Sequence, residues 1–235
     1  MIIPCIDLMG GKVVQLVQGR EDSKVLELPD ALSVLERFVA FSQVQVIDLD
    51  AAMGRESQAA IIAQLCARKP CRVGGGIRSV GRAREVVDQG ALKIIVGSSA
   101  FTSKGVNHAF LEELASAIPW RNLMIAVDCL GDRVAIHGWK EVLPLTSSEV
   151  LPELERYASE FLCTCIEVEG KHQGTRLDWF RQLRAATALP ITAAGGITTD
   201  EEIEALEQIG MNAALGVAIY RRIFPELFAG TMSIQ

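Results

Sequence analysis

The feature that most constrains the fold of this chain is an internal repeat with an offset of about half its length. Gly75-Gly76-Ile77 recurs as Gly195-Gly196-Ile197, an offset of 120 residues in a chain of 235. Four further landmarks recur at offsets of 119 to 121 residues: positions 5–7 with 126–128, 11–14 with 132–135, 47–50 with 166–169, and 97 with 216. Five agreements within one residue of each other indicate two halves built on the same plan.

Short apolar runs with helical segments between them recur along the chain. Eight of these runs are strand candidates: residues 2–6, 44–49, 71–73, 93–96, 123–127, 161–168, 191–194 and 213–217. Several are continuously apolar, which is typical of parallel strands covered on both faces. Residues 30–40 carry an apolar helical stripe, and capping boxes at residues 146–149 and 199–202 predict helix starts shortly after strands.

Four strand-helix units in each half predict one α/β domain over residues 1–235, a (βα)8 TIM barrel with twofold half-barrel symmetry. No stretch rich in Pro, Gly or Ser divides the chain. An open, doubly wound sheet of eight strands is the alternative, although it does not by itself require a half-length repeat.

Composition excludes several classes of function. A formal charge of -6 provides no basic surface for nucleic acid, so any phosphate must be bound locally. The three histidines are widely spaced, which argues against a metal site, and the six cysteines lie mostly in apolar runs as expected of free buried thiols. The sequence contains neither a membrane-length apolar segment nor a signal peptide, so we expect a cytoplasmic protein with no membrane partner.

Carboxylates at strand ends are candidates for catalysis, because barrel active sites lie at the carboxyl ends of the strands. Asp7 and Asp128 end the first and fifth strand candidates, are related by the repeat, and should face each other across the barrel mouth. This geometry suits an acid and a base; the alternative is that each only caps a loop. Four more carboxylates end the second and sixth candidates and are orienting groups at most: Asp48, Asp50, Glu167 and Glu169.

Glycine-rich turns follow four of the strand candidates, in two pairs on opposite sides of the barrel. Such turns allow backbone N–H groups to approach an anion closely, although glycine turns are also common for purely structural reasons. Two pairs predict a ligand with a phosphate at each end and its reactive centre between the two aspartates. The candidate phosphate-binding residues are Gly75, Gly76, Arg78, Gly97, Ser98, Gly195, Gly196, Gly216 and Val217.

Taken together, these motifs resemble the histidine-biosynthesis isomerases, the phosphoribosylformimino-5-aminoimidazole carboxamide ribotide isomerases. The segments that carry the resemblance run in the same order from Met1 to about Phe228: residues 3–8, 11–14, 17–19, 47–50, 74–79, 127–128, 138–139 and 194–197. The resemblance implies an Amadori rearrangement on a twofold symmetric barrel. An aminoaldose with a phosphate at each end becomes the aminoketose, without metal or organic cofactor.

The resemblance also implies roles for individual side chains. Asp7 matches the family's general base, which moves the C2′ proton, and Asp128 matches the general acid, which protonates the ribose ring oxygen. Thr164 matches a threonine that positions the substrate, and Trp139 matches a tryptophan that stacks on the imidazole carboxamide; a core-filling tryptophan is the alternative. Glu169, like Asp50, is expected to contact and orient the substrate.

The chain departs from the family pattern at three places. Glu169-Gly170-Lys171-His172 replaces an Asp-Gly-Thr sequence of many relatives, which moves the carboxylate and adds a cation. Gln15 stands where many relatives have an arginine, and Val217 stands where a lysine or arginine often follows the last strand. The last two changes leave more of the phosphate binding to backbone amides.

Three other functions remain open from the sequence. The sister cyclase of the same pathway is a similar barrel, but it carries a lysine soon after its first aspartate, where this chain reads Val13-Val14-Gln15. A dual-substrate isomerase that also acts on phosphoribosylanthranilate has an arginine at the position of His137. A non-catalytic barrel that binds phosphometabolites has no need of two opposed aspartates. We expect a monomer that binds a small bisphosphate sugar.

Overall fold

The computed structural model describes residues 1–171 and 173–228. His172, the last residue of the segment 169–172 that differs from the family pattern, and the last seven residues of the expected domain lie outside the described residues. The strands are β1 (Ile2–Met9), β2 (Lys12–Val17), β3 (Arg20–Leu28), β4 (Val44–Asp48), β5 (Cys71–Gly74), β6 (Lys93–Val96), β7 (Phe101–Thr102), β8 (Gly105–Val106), β9 (Leu123–Leu130), β10 (Arg133–Ile136), β11 (Glu141–Thr146), β12 (Glu160–Cys165), β13 (Ile191–Ala194) and β14 (Met211–Leu215).

Helices connect most of the strands. They are α1 (Ala31–Arg37), α2 (Leu49–Ala52), α3 (Ala59–Cys66), α4 (Val80–Asp88), α5 (His108–Ala117), α6 (Ser147–Leu154), α7 (Leu177–Ala186), α8 (Asp200–Gln208) and α9 (Val217–Ile223). Helices α6 and α8 begin at the predicted capping boxes, in which Thr146 pairs with Glu149 and Thr199 pairs with Glu202. Short 3-10 turns occupy Ser98–Ala100, Trp120–Asn122, Ile166–Val168 and Pro225–Leu227.

Eight of the strands in the described residues pair in parallel and close on themselves. Their order is β9-β12-β13-β14-β1-β4-β5-β6, and β6 pairs with β9 to complete the ring. The predicted (βα)8 barrel is therefore confirmed, and the open sheet is excluded. Three strands separate β1 from β9 on either side, so these two strands face each other across the barrel.

The barrel strands are buried on both faces, which explains their continuously apolar sequences. One cluster fills the barrel interior: Cys5, Ile95, Met124, Ala126, Leu162 and Ala214, with Ile47 and Ala194 against it. A second and larger core lies between the strands and the surrounding helices, where Phe38, Phe161 and Trp179 are almost fully buried. No helix among residues 1–171 and 173–228 has both the length and the apolar content that crossing a bilayer requires.

Three strands end earlier than the sequence-based prediction, whereas β1, β5 and β9 run on to Met9, Gly74 and Leu130. Strand β4 ends at Asp48 rather than Leu49, because the Asp48 carboxylate accepts a hydrogen bond from the Ala51 N–H and caps α2. The run predicted to extend to Val168 ends as a strand at Cys165 and continues as a 3-10 turn. Strand β14 ends at Leu215, and Val217 already belongs to α9.

Two hairpins rise over the mouth of the barrel. Strand β2 continues antiparallel from β1 and pairs with β3, while β10 continues antiparallel from β9 and pairs with β11. The two hairpins follow the two strands that carry Asp7 and Asp128, so the half-barrel repeat extends into the structure above the candidate site.

A buried polar network closes the opposite end of the barrel. Arg72 at the start of β5 donates to Glu160 of β12 at 2.7 Å and to Thr192 of β13 at 2.8 Å. Thr192 donates to the same Glu160 oxygen, and the Lys93 ammonium lies 3.1 Å from the other oxygen. Arg72 and Glu160 are only 2% and 3% exposed, so each charge depends on its partners for solvation.

Candidate active site

The predicted catalytic aspartates lie on opposite sides of the barrel mouth. Asp7 is in β1, paired with Ile47 of β4, and Asp128 is in β9, paired with Thr164 of β12. Both follow apolar strand residues that fill the interior, so they stand at the edge of the apolar core. This arrangement lets one ligand be addressed from two sides.

Asp7 is a carboxyl group tuned to titrate near neutral pH. Burial in the barrel mouth raises its pKa to about 7, and the negative charge of Glu169 acts in the same direction. A hydrogen bond of 3.1 Å from the Gln15 side-chain amide opposes these effects, because it favours the carboxylate. Asp7 can therefore exchange a proton at physiological pH.

Asp128 has a different set of partners. Burial raises its pKa, while hydrogen bonds from the side chains of Thr164 and Trp139 oppose the rise. The Trp139 indole N–H donates to the Asp128 carboxylate at 2.8 Å. The aspartates related by the repeat thus have unequal environments, as an acid and a base require.

Glu169 brings a third carboxyl group to the same mouth. It follows the 3-10 turn after β12, and burial together with the charge of Asp128 raises its pKa to about 7. The charge of Glu169 in turn raises the pKa of Asp7, so Glu169 links the two aspartates electrostatically. Among residues 1–171 and 173–228, no hydrogen bond reaches the Glu169 carboxylate, which leaves its oxygens available to a ligand.

Asp50, the repeat partner of Glu169, lies in a very different setting. Its carboxylate accepts hydrogen bonds from the Gly10 N–H at 2.6 Å and the Gln58 amide at 2.7 Å, and Arg55 lies 3.5 Å away. Asp50 therefore ties α2 to the turn between β1 and β2. Both Asp50 carboxylate oxygens already have partners within the protein, so the predicted contact with substrate would have to share one of them.

Trp139 occupies the mouth of the barrel in a strained loop. Its φ is +69° and that of His137 is +56°, a region that side chains rarely adopt. The indole packs so closely over Gly19 of the β2–β3 turn that a Cβ there would lie 3.4 Å from the ring. Ser98 fixes the start of this loop by accepting a hydrogen bond of 2.8 Å from the His137 N–H.

The glycine turns after β5 and β13 have matching geometry. The φ angles of Gly75 and Gly195 are +102° and +93°, and those of Gly76 and Gly196 are +70° and +73°. A Cβ at Gly75 would collide with the Asp48 carbonyl, and one at Gly195 with the Cys165 carbonyl. These glycines are therefore required by backbone packing whether or not a phosphate binds.

The turns after β6 and β14 also match in backbone geometry, but they differ in the space around the glycine. Gly97 has φ and ψ of -99° and -117°, and Gly216 has -86° and -116°. A Cβ at Gly97 would have no neighbouring atom within 4 Å, whereas a Cβ at Gly216 would lie 2.6 Å from the Gln15 side-chain oxygen.

The two remaining predicted phosphate ligands behave differently. Arg78 is exposed, and its guanidinium donates to the carbonyls of Ala51 and Ala52 at the end of α2. Val217 is buried at the start of α9, so only its backbone N–H is suited to an anion.

The cysteines match the expectation of free thiols: all six are unpaired and five are buried. Burial raises the pKa of the Cys129 thiol far above its ordinary value, and the charge of Asp128 adds to this effect. Cys129 is therefore a neutral neighbour of Asp128, which does not favour a nucleophilic role.

Gln15, expected from the sequence only to leave a phosphate contact unmade, is a neighbour of Asp7. The available signal was a polar side chain within the apolar run 13–17, whose buried position would need a partner. The hydrogen bond to Asp7 supplies that partner.

Comparison with known proteins covers nearly the whole chain. The sequence model of a family described as histidine biosynthesis protein matches residues 1–225. Curated relatives include proteins of Methanocaldococcus jannaschii, 36% identical over 94% of both chains, and of Methanothermobacter thermautotrophicus, 34% identical over 94% of this chain and 93% of the relative. A protein of Gemmatimonas aurantiaca is 35% identical over 93% and 92% of the two chains. All three are named 1-(5-phosphoribosyl)-5-((5-phosphoribosylamino)methylideneamino) imidazole-4-carboxamide isomerase.

Proposed function

Because the chain belongs to the family of histidine biosynthesis proteins, we propose that it is the aldose-ketose isomerase of that pathway. Its substrate is the aminoaldose bisphosphate phosphoribosylformimino-5-aminoimidazole carboxamide ribotide, and its product is the corresponding aminoketose. The observation that carries the proposal is the pair of opposed aspartates, each held at a raised pKa by burial, on a barrel of this family. Residues 1–235 then form one catalytic domain that needs no metal or organic cofactor.

The reaction needs an acid on one side of the ribose and a base on the other. Asp128 protonates the ring oxygen, which opens the ribose and leaves a C1′ imine. Asp7 then removes the C2′ proton to give an enolamine, and the enolamine tautomerises to the C2′ ketone as C1′ gains a proton. No net proton or electron is gained. A pKa near 7 lets Asp7 act as a base and then release its proton at neutral pH.

The two pairs of glycine turns suit a substrate that carries a phosphate at each end. Support comes from the matching backbone angles of Gly97 and Gly216, which lie in different halves of the barrel. We expect anions at both places in a crystal structure with a non-reactive bisphosphate analogue. One anion at a single turn, with the other turn occupied only by solvent, would contradict the two-ended arrangement.

The test of the proposed function is direct turnover. Purified protein is incubated with the aminoaldose bisphosphate in the presence of EDTA and without added cofactor, and formation of the aminoketose is followed. The proposal requires turnover that the Asp7→Asn variant lacks. A folded wild-type protein that binds the substrate without converting it would support the phosphometabolite-binding barrel instead.

Replacement of Glu169 distinguishes a group that orients the substrate from one that transfers protons. Glu169→Gln keeps an acceptor oxygen but removes a charge, so we expect kcat to fall only about tenfold, the effect of one weakened hydrogen bond. Loss of the Glu169 charge also lowers the pKa of Asp7, so the acid limb of the pH profile should move to lower pH.

The measurement is kcat and kcat/KM of Glu169→Gln between about pH 5 and 9. Both limbs of the wild-type profile should survive. Disappearance of a limb would mean that Glu169 itself is the acid or the base, and that one of the aspartates has the orienting role.

A further inference from the structure

Gln15 is a buried polar side chain whose amide nitrogen is hydrogen-bonded to the candidate base. It lies in β2, next to the Val14–Asp7 pair of the β1–β2 ladder, and is only 3% exposed. Its nitrogen donates to the Asp7 carboxylate at 3.1 Å and to the Val14 carbonyl at 3.0 Å. Two hydrogen bonds from one nitrogen fix the direction of the amide plane.

The oxygen end of Gln15 lies in the turn after β14. It is 2.6 Å from the position that a Cβ at Gly216 would occupy, so the absence of a side chain at Gly216 makes room for it. The same turn leads into α9, from which the Tyr220 hydroxyl donates to the Cys5 carbonyl of β1 at 2.9 Å. Gln15 is thus held between Asp7 and the Gly216 turn.

The second half of the barrel has no equivalent of the hydrogen bond from Gln15 to Asp7. The position equivalent to Gln15 at the repeat offset of 121 residues is Ile136, which is 1% exposed and has no donor to offer. Asp128 takes its hydrogen bonds from Thr164 and Trp139 instead. The Gln15 amide therefore distinguishes the two aspartates that the repeat makes equivalent.

We propose that Gln15 is a positioning residue for the isomerase reaction, a neutral donor that orients the Asp7 carboxylate and favours its charged form. The inference rests on the proposed function, because it concerns the base of that reaction. A neutral amide favours the carboxylate without the strong attraction of a cation. An arginine in its place would stabilise the charged form far more and make Asp7 a weaker base.

Other groups around Asp7 define the electrostatic background for this effect. Glu169 raises the pKa of Asp7 through its charge, and Asp128 acts in turn on Glu169. Cys5 belongs to the cluster inside the barrel and Tyr220 to the core between strands and helices, and burial raises the pKa of each, so both stay neutral. Farther inside the barrel, the positive charge of Arg72 acts on Cys5.

The first test compares Gln15→Met with Gln15→Arg. The methionine removes the donor at similar volume, so we expect the acid limb of kcat/KM to move up by about one pH unit, the worth of one hydrogen bond to a charge. The arginine adds a cation and should move the same limb to lower pH. A purely structural role would lower the rate equally at every pH and leave both limbs in place.

The second test displaces Gln15 without replacing it. Gly216→Ala puts a Cβ against the Gln15 oxygen, whereas Gly97→Ala has the same backbone angles and free space. The two alanines stand at equivalent turns of the repeat. Only Gly216→Ala should move the acid limb upward, and an equal shift in both variants would overturn the proposal.

A measurement that does not depend on turnover separates the proposed isomerase function from the proposed role of Gln15. The Asp7 carboxyl carbon is assigned by its loss in Asp7→Asn and titrated by 13C NMR in wild type and Gln15→Met. An inactive wild type defeats the proposed function, while the NMR titration still tests the hydrogen bond. An active wild type whose Asp7 titrates identically in Gln15→Met defeats the present inference alone.

Discussion

Asp7→Asn and Asp128→Asn are each expected to lower kcat by at least about a hundredfold, because general acid-base steps contribute about 10²–10⁴-fold. The asparagine keeps the shape of the side chain but removes its charge and its ability to exchange the proton. Steady-state kinetics at saturating substrate measures the loss. A variant that stays within a few fold of wild type would show that its aspartate does not transfer a proton.

Asp7→Asn should also make the protein more stable at neutral pH. The pKa of Asp7 is raised in the folded state, so the folded protein binds more protons than the unfolded chain between about pH 4 and 7. Its free energy of unfolding then falls as pH rises through this window, and removing the charge restores part of it. We expect a gain of about 1–2 kcal/mol at pH 8 and none at pH 4.

Thermal or urea unfolding at the two pH values measures this gain. The control is Asp22→Asn on the exposed part of β3, where the ion pair with Arg20 lowers the pKa of the carboxyl and removal of the charge gives no stabilisation. Equal stability of wild type and Asp7→Asn at both pH values would mean that the buried charge of Asp7 does not lower the free energy of unfolding.

Glu160→Leu is expected to cause the largest loss of stability, about 3–5 kcal/mol. The substitution leaves the Arg72 guanidinium buried at the closed end of the barrel and takes away the partner that Lys93 contacts at 3.1 Å. Urea unfolding measures the loss. The double variant Arg72→Met with Glu160→Leu should recover much of it, because it leaves no unpaired charge between these positions.

Glu160 is in the network at the opposite end of the barrel from the candidate site. We therefore expect the folded fraction of Glu160→Leu to keep its KM and the shape of its pH profile. A selective change in kcat with unchanged stability would show that the network acts on the site rather than on the fold.

The sequence predicted the barrel because the fold is determined by patterns that repeat. Eight apolar runs and a half-length offset favour a closed parallel sheet with two similar halves, and the pairing of β6 with β9 shows the closure. Strand ends were less predictable: Ile166 and Val168 continue the apolar pattern and Ile166 is buried, although the backbone has already turned out of the sheet after Cys165. Burial alone does not distinguish a buried strand from a buried turn.

Within the candidate site, residue types were easier to predict than contacts. Asp7, Asp128 and Glu169 could be selected because polar residues at strand ends stand out against apolar runs. The contacts from Trp139 to Asp128 and from Gln15 to Asp7 depend on the path of two hairpins. Those hairpins are set by long-range pairing, which local patterns do not specify.

Matching turns in the two halves of the barrel have a consequence for the direction in which a ligand enters. If both turns hold phosphates as proposed, a two-ended ligand can lie across the mouth in either of two orientations related by a half-rotation. The anchors favour neither orientation, since Gly97 and Gly216 share one backbone geometry. Discrimination between the two orientations must then come from the middle of the site, where Gln15 donates a hydrogen bond to Asp7 and Trp139 donates one to Asp128. An inhibitor with identical ends would escape this discrimination and occupy both orientations.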